Sequence, residues 1–220
     1  MFDFHSHILP GVDHGTSSIE TSLKQLQLAK EFGITTIVAT SHFYPFHSDV
    51  ESFLEKRNEA YELLCSQKPD GIEIIKGAEV MLTMDLDKIE GVEKLCIGDT
   101  NYMLVEMPDM IHSTWIYDVL MRLCDRGITP IIAHIDRYPE SVQENLLEMD
   151  FPIQVNAYAF KRFFKARRML YLVQNDLVHL LGSDLHGATA KTYKDFVYAK
   201  NKLGVCFEKM QDNAKKILGL

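Results

Sequence analysis

Met1-Phe2-Asp3-Phe4-His5-Ser6-His7 opens the chain with apolar side chains that run straight into two histidines two residues apart. In an extended strand the side chains at i and i+2 share a face, so His5 and His7 form a two-imidazole claw at a strand end. Alone, such a pair reads equally well as surface histidines. Its weight comes from the rest of the chain, a series of strand-like runs that each end in His, Glu, Asp or Asn.

Beyond the claw, Ile8-Leu9-Pro10-Gly11-Val12-Asp13-His14-Gly15 is a loop by its Pro and Gly content. The spacing predicts a helix from Ser17 or Ser18 to about Phe32, stopped by Gly33. The β-branched run Ile34 to Thr40 then reads as a strand buried on both faces, ending at Ser41-His42. The pattern repeats. A helix from about Asp49 to Gln67 leads to a strand from Ile72 and to Glu79; a shorter helical piece from Leu86 to Leu95 leads to Tyr102–Glu106. A helix from about Ser113 to Arg126 leads to Thr129–His134, one after Pro139 leads to Pro152–Asn156, and one from about Phe160 to Gln174 leads to Val178–His186. Helices from about Ala190 to Leu203 and Asp212 to Leu218 close the chain.

The polar strand ends at 5, 42, 79, 106, 134, 156 and 184 lie 22 to 37 residues apart, enough for one βα unit each. Seven strands alternating with helices imply an α/β fold with a parallel sheet, and a distorted (β/α)7 TIM-like barrel lets all seven ends meet on one rim. An open doubly wound sheet would spread them along a line.

At 220 residues the chain is expected to form a single domain, 1–220. Its 46% hydrophobic and 25% charged residues are ordinary for a globular protein. The net charge of −8 argues against non-specific nucleic-acid binding. No apolar run reaches the length of a membrane helix, and a strand starting at Met1 leaves no room for a signal peptide, so the expected location is the cytoplasm. The four cysteines form no Cys-x-x-Cys pair and none opens a Cys-x5-Arg loop, which excludes zinc-thiolate and thiol-phosphatase chemistry.

His5, His7, His42, Glu79, Glu106, His134, Asp184 and His186 fall at or just past strand ends, and His14 lies in the first loop. Six of the nine histidines thus gather on one rim; His47, His112 and His179 read as ordinary structural residues. Buried carboxylates without cations raise one another's pKa, and desolvation adds to the cost. Metal ions resolve this, and mixed imidazole and carboxylate donors suit Mn²⁺, Fe²⁺ or Zn²⁺ better than Ca²⁺. Nine candidate ligands exceed the roughly four to six positions of one ion, so two or three are implied.

Asp3 to Gly15, Ala39-Thr40-Ser41-His42, Gly77-Ala78-Glu79, Val105-Glu106, Ile131 to Pro139 with its His134-Ile135-Asp136-Arg137-Tyr138 core, Gln154-Val155-Asn156 and Ser183-Asp184-Leu185-His186 together span nearly the whole chain. These segments resemble the PHP (polymerase and histidinol phosphatase) superfamily. Within it, the opening His-x-His-Ile-Leu-Pro-Gly and the His-x-x-Arg-Tyr segment are similar to the manganese-dependent protein tyrosine phosphatases of bacterial capsule and exopolysaccharide synthesis. The resemblance implies a distorted barrel of seven βα units, a three-metal site and a phosphotyrosine-containing partner, naturally a bacterial tyrosine autokinase. Two residues depart from that branch: His14 stands where Asp is usual, and Lys191 stands where Arg is expected, keeping the charge but losing the bidentate fork.

Three divalent ions against Glu79, Glu106 and Asp184 leave about +3, a field that draws a phosphate dianion. The expected reaction is in-line attack by a metal-bridging hydroxide, with no phospho-enzyme. Arg137 is the expected catalytic and substrate-binding cation, the simpler reading being a loop salt bridge with Asp136 or Glu140; Lys191 is a second substrate-binding candidate. Asp13 or a free histidine is the candidate general acid, and a phenolate leaving group asks little of it. Lys161, Arg162, Lys165 and Arg168 are expected on one basic helix face, either solvated or receiving an acidic or multiply phosphorylated tail. The rival readings are a small-molecule phosphomonoesterase of histidinol phosphatase type, a metal-dependent nuclease and a metal-binding regulator without turnover.

Overall fold

The computed structural model describes residues 1–108 and 115–220; His112 and the first residues of the helix expected from Ser113 lie outside the described residues. Strands and helices alternate from the start. β1 (Phe2–Ser6) is followed by α1 (Ile19–Glu31), β2 (Thr36–Ala39), β3 (His42–Phe43), α2 (Val50–Cys65), β4 (Glu73–Lys76), β5 (Glu79–Met81) and β6 (Tyr102–Glu106). Then come α3 (Trp115–Asp125), β7 (Thr129–Ile132), α4 (Glu140–Leu147), β8 (Gln154–Asn156), α5 (Phe163–Gln174), β9 (Leu180–Gly182), α6 (Ala190–Leu203) and α7 (Val205–Leu218). The helix starts obey capping chemistry: the Ser18 hydroxyl accepts the Thr21 N–H, and the Asp49 carboxylate accepts that of Ser52 at 2.9 Å.

Among the described residues nine strands occupy seven positions, because Thr40-Ser41 separates β2 from β3 and Gly77-Ala78 separates β4 from β5. All pairings between them are parallel: β1-β2-β4, β3-β5-β6-β7 and β8-β9. Single parallel bridges, Ile132 to Ile153 and Ser6 to Leu185, join the edges of these three sheets. The expected α/β order is therefore present, with its distortion located: the ladders do not run on as one continuous sheet. Pro152 accepts from Ile132 through its carbonyl but has no N–H to return, which limits the β7–β8 contact.

Phe4, Val38, Leu104, Ile131 and Leu180, one from each of five strands, pack with Ala214 and Ile217 of α7. Gln211 of α7 also bonds both the N–H and the carbonyl of Phe2. Thus α7 covers the end where β1 begins, and the opposite, C-terminal end carries the polar residues. The register of β1 against β2 shifts between Asp3 and Ser6, a bulge that lets consecutive Phe4 and His5 both serve the interior.

Three expectations need correction. Leu86 to Leu95 is not one helical piece but two 3₁₀ turns, Leu86–Lys88 and Val92–Leu95, because Gly91 sits between them at φ 74°. The final helix starts at Val205 rather than Asp212, since Gly204 alone, at φ 55°, makes the corner after α6. The helix expected from Phe160 begins at Phe163, after a 3₁₀ turn over Ala157–Lys161, so Lys161 and Arg162 do not continue the α5 face.

A candidate metal centre at the strand ends

The strands deliver their polar ends to one place. His5 lies on β1, with His7 just past it, and β3 and β5 begin at His42 and Glu79, which face each other in register. Glu106 closes β6 opposite Met81 of β5. His134 and Asp184 follow β7 and β9 and turn inward through left-handed backbone, at φ 30° and 52°. Such conformations cost non-glycine residues about 1–3 kcal/mol each and gather at functional sites.

Hydrogen bonds decide which ring nitrogen faces inward. The His7 Nδ1 proton goes to Asp13 Oδ2 at 2.7 Å and that of His186 to the Asp184 carbonyl at 3.1 Å, leaving both Nε2 lone pairs for the interior. The backbone N–H of His134 must donate, so the Gln154 atom 2.6 Å away is Oε1, which also takes the His5 Nδ1 proton at 3.3 Å. The Gln154 amide then donates to Asn156 Oδ1 and the Asn156 amide to Asp184 Oδ2, both at 2.9 Å. One backbone donor thereby orients three side chains.

Inside this frame Glu79 is the hub. Its Oε2 lies 3.1 Å from Nε2 of both His5 and His7 and 3.2 Å from His42 Nδ1, and its Oε1 lies 2.7 Å from His134 Nε2. Metal–ligand bonds of about 2.0–2.2 Å put neighbouring donors roughly 3.0–3.5 Å apart, so most of these spacings are those of a coordination shell. Donor atoms lie within 4.8 Å of one another in three overlapping groups: His7, His42 and His186; His5, His7 and Asp184; and His42, Glu79 and Glu106. Buried His42 Nδ1, Glu106 Oε2, Asp184 Oδ1 and His186 Nε2 have no hydrogen-bond partner, a costly state that divalent cations remove. The donor set fits metal.

His134 joins none of the three groups and touches the cluster through Glu79 and, at 3.4 Å, Glu106. His14 is exposed and stacks on His42 and His186 at 4.8 and 4.7 Å between ring centroids. It borders the cluster without entering a donor group. Arg137 pairs with Asp184 and reaches Glu106 at 3.9 Å, so its partners are rim carboxylates rather than Asp136 or Glu140. With Asn156, Asp184 and Lys191 it lines a cleft of about 380 Å³. Lys191 stands over the Tyr158 ring at 4.8 Å and bonds Asp195. On the other flank, His14, His42, Tyr44 and His47 line a second cleft of about 490 Å³.

The family model described as capsular polysaccharide synthesis, CpsB/CapC, matches residues 1–218. The chain belongs to the CpsB/CapC family. It is 32% identical, over 99% of its own length and 98% of the relative's, to the tyrosine-protein phosphatase CpsB of Streptococcus pneumoniae, and 24% identical, over 88% and 80%, to the tyrosine-protein phosphatase YwqE of Bacillus subtilis. The fold matches a chain from the crystal structures of YwqE and CpsB, described as unique metal-dependent tyrosine phosphatases, with a TM-score of 0.82 at 23% identity over 100% of this chain and 94% of that one. A histidinol phosphate phosphatase from Lactococcus lactis, solved with zinc, L-histidinol and phosphate, shares the fold more distantly, with a TM-score of 0.61 at 14% identity over 92% of this chain and 93% of that one.

Two residues of this CpsB/CapC chain carry roles not foreseen from its sequence. Gln154 looked like a polar residue inside a strand. Asp13, a candidate acid, also accepts from His7, from the Gly15 N–H and from the His42 N–H at 2.8 Å, bonds that orient the His7 ring and, despite burial, hold the Asp13 carboxyl below the usual range. Gly182 is required by close approach, since a Cβ there would stand 2.5 Å from His5 Cβ and 2.7 Å from Gln154 Nε2. Outside the cluster, His179 accepts the Ile153 N–H, a structural role. Asp13→Asn leaves His7 without its anionic partner, and metal affinity is expected to fall about 10–100-fold, measured by competition with a chromophoric chelator. Unchanged affinity would remove Asp13 from the site.

Burial opposes charge on His7 and His134, but hydrogen bonds to Asp13, Asp184 and Glu79 hold His7 well above its ordinary pKa, and those to Glu106 and Glu79 lift His134 to about 9. Burial dominates at His42 and pulls it down to about 3. With metal chelated away, the raised His134 stabilises the fold fully below pH ~6.5 and loses that contribution as the pH rises through about 9. Metal requires neutral imidazole, so ligation at neutral pH by His7 and His134 would release their protons, and ligation by His42 would release none. Calorimetry in two buffers of different ionisation enthalpy is expected to show about one to two protons released at pH 7, with affinity rising toward pH 9. No release would contradict it.

Proposed function

We propose that this chain is a metal-dependent protein tyrosine phosphatase acting in capsular or exopolysaccharide synthesis, with the described fold working as one catalytic domain over residues 1–220. The carrying observation is the set of Nε2-facing imidazoles and partnerless carboxylate oxygens beneath a cleft that holds Arg137. The ligand set is His5, His7, His42, Glu79, Glu106, His134, Asp184 and His186, with His14 closing the shell on the exposed side. Family membership and the phosphatase names of its relatives support the reaction class. The ions are two or three Mn²⁺, with Fe²⁺ or Zn²⁺ as substitutes.

Bound divalent ions supply Lewis acidity and a water acidic enough to attack phosphorus at neutral pH. The chain's own groups do the rest. Arg137 swings one face of its guanidinium from Asp184 to the non-bridging phosphate oxygens, and Asn156 keeps Asp184 oriented as it does. Lys191, displaced from Asp195, adds a point charge at the cleft edge. Tyrosinate leaves with a conjugate acid of pKa about 10, which limits the need for a strong proton donor. The partner is a phosphotyrosine-containing protein, a bacterial tyrosine autokinase, met in the cytoplasm; among the described residues no helix is long and apolar enough to cross a membrane.

The test compares kcat/KM for a phosphotyrosyl peptide and for histidinol phosphate in Mn²⁺, each with a chelator control. Preference for the peptide, abolished by chelation, is the expected result. Preference for histidinol phosphate would replace this reading with a small-molecule phosphomonoesterase.

A further inference from the structure

The chain carries −8 overall, yet residues 157–203 hold nine Lys and Arg against three Asp, a local +6. Several of these cations are already committed. Lys161 bonds Asp195, Lys165 bonds the Asp136 carbonyl, and Arg168 lies against Gln143, Glu140 and Glu144. Exposed Arg162, Arg167 and Lys202 have no ion-pair partner among the described residues. Between them stand Phe163 and Phe164, 85% and 87% exposed, their rings edge to face at 5.4 Å. Two adjacent phenylalanines so exposed bury nothing within the described chain and mark a contact surface. With Tyr171 and Tyr198 they line a groove of about 610 Å³ that also contains Arg167 and Lys202.

This ledge and the Arg137 cleft meet at consecutive residues of the chain. Arg162 lines the cleft and Phe163, the next residue, lines the groove, so their Cα atoms are about 3.8 Å apart. A bound segment that leaves the Arg137 cleft past Arg162 meets the ledge at the neighbouring residue, each extended residue of the segment advancing about 3.3 Å. We propose that the Phe163/Phe164 ledge with Arg167 and Lys202 is a specificity subsite for residues flanking the phosphotyrosine, and that it selects segments carrying both a carboxylate and an aromatic side chain there. The choice follows from complementarity: unpaired guanidinium and ammonium groups take the anion, and the exposed rings take the apolar face. The inference rests on the phosphotyrosine reading and adds to it the class of sequence read.

The test measures kcat/KM for two phosphotyrosyl peptides of equal length, one flanked by Glu and Phe and one by Gly and Ser, beside a small phosphate ester. Wild type is expected to favour the Glu/Phe peptide by at least about tenfold, mostly through KM, as interface anchors of this kind do. Phe163→Ser/Phe164→Ser and, separately, Arg167→Glu are expected to bring that ratio to within about twofold, at wild-type metal content and circular dichroism. Equal rates in wild type, or a ratio that survives in both variants, would overturn the subsite alone. Turnover of the small ester with neither peptide hydrolysed would overturn the phosphotyrosine reading itself. Equal peptide rates together with binding to phosphatidylglycerol vesicles, lost in the double variant, would assign the ledge to a membrane and overturn the proposal.

Discussion

Glu79→Gln is expected to remove metal and phosphatase activity together, lowering kcat/KM by at least about 10³-fold, or roughly 4 kcal/mol of transition-state stabilisation. The size follows from position. Glu79 meets His5, His7, His42 and His134 at 2.7–3.2 Å, and its Oε2 faces three imidazoles at once. Burial works against its ionisation, but His5 first, then His134 and His7, hold its carboxyl well below the ordinary range. At neutral pH it is therefore an anion shared among imidazoles. Gln keeps the shape and removes the charge, so the fold is expected to persist while the cluster loses its central anionic donor. Mass-spectrometric metal counts and phosphate release on the same sample check this; full metal content with activity within tenfold of wild type would remove Glu79 from the centre.

Arg137→Ala is expected to lower kcat/KM about 10²–10³-fold while leaving metal content in place, the usual loss when one donor to a developing oxyanion is removed. Arg137→Lys is expected to recover little, because the rim offers two carboxylates and a phosphate offers paired oxygens, both geometries that need the fork. The inhibition constant for inorganic phosphate is expected to rise in parallel, since product and substrate share those oxygens. A variant with wild-type kcat/KM and phosphate inhibition would reduce Arg137 to a lock on Asp184.

The strand order was legible because buried parallel strands are unbroken β-branched runs, such as Thr36–Ala39, punctuated by Gly and by polar ends. That His5, Glu79 and Asp184, far apart in sequence, would meet followed from barrel geometry alone. Less legible were features set by single dihedrals or by neighbours distant in sequence. Gly91 and Gly204 redraw helix boundaries through positive φ, which composition does not distinguish from an ordinary loop glycine. Gln154 orients His5 and the His134 backbone only because β8 lies beside β7 and β9, a neighbourhood no local pattern encodes. The basic face failed for a related reason: Lys161 and Arg162 precede the α5 start, and Lys165 and Arg168 are tied to neighbouring segments.

The most direct test of the central claim titrates Mn²⁺ into chelator-stripped protein while bound metal per chain and phosphate release from a phosphotyrosyl peptide are followed together. Release that rises with occupancy and reaches its plateau at two or three ions per chain is the expected result. Full release below one ion per chain, or two to three bound ions with no release, would contradict it.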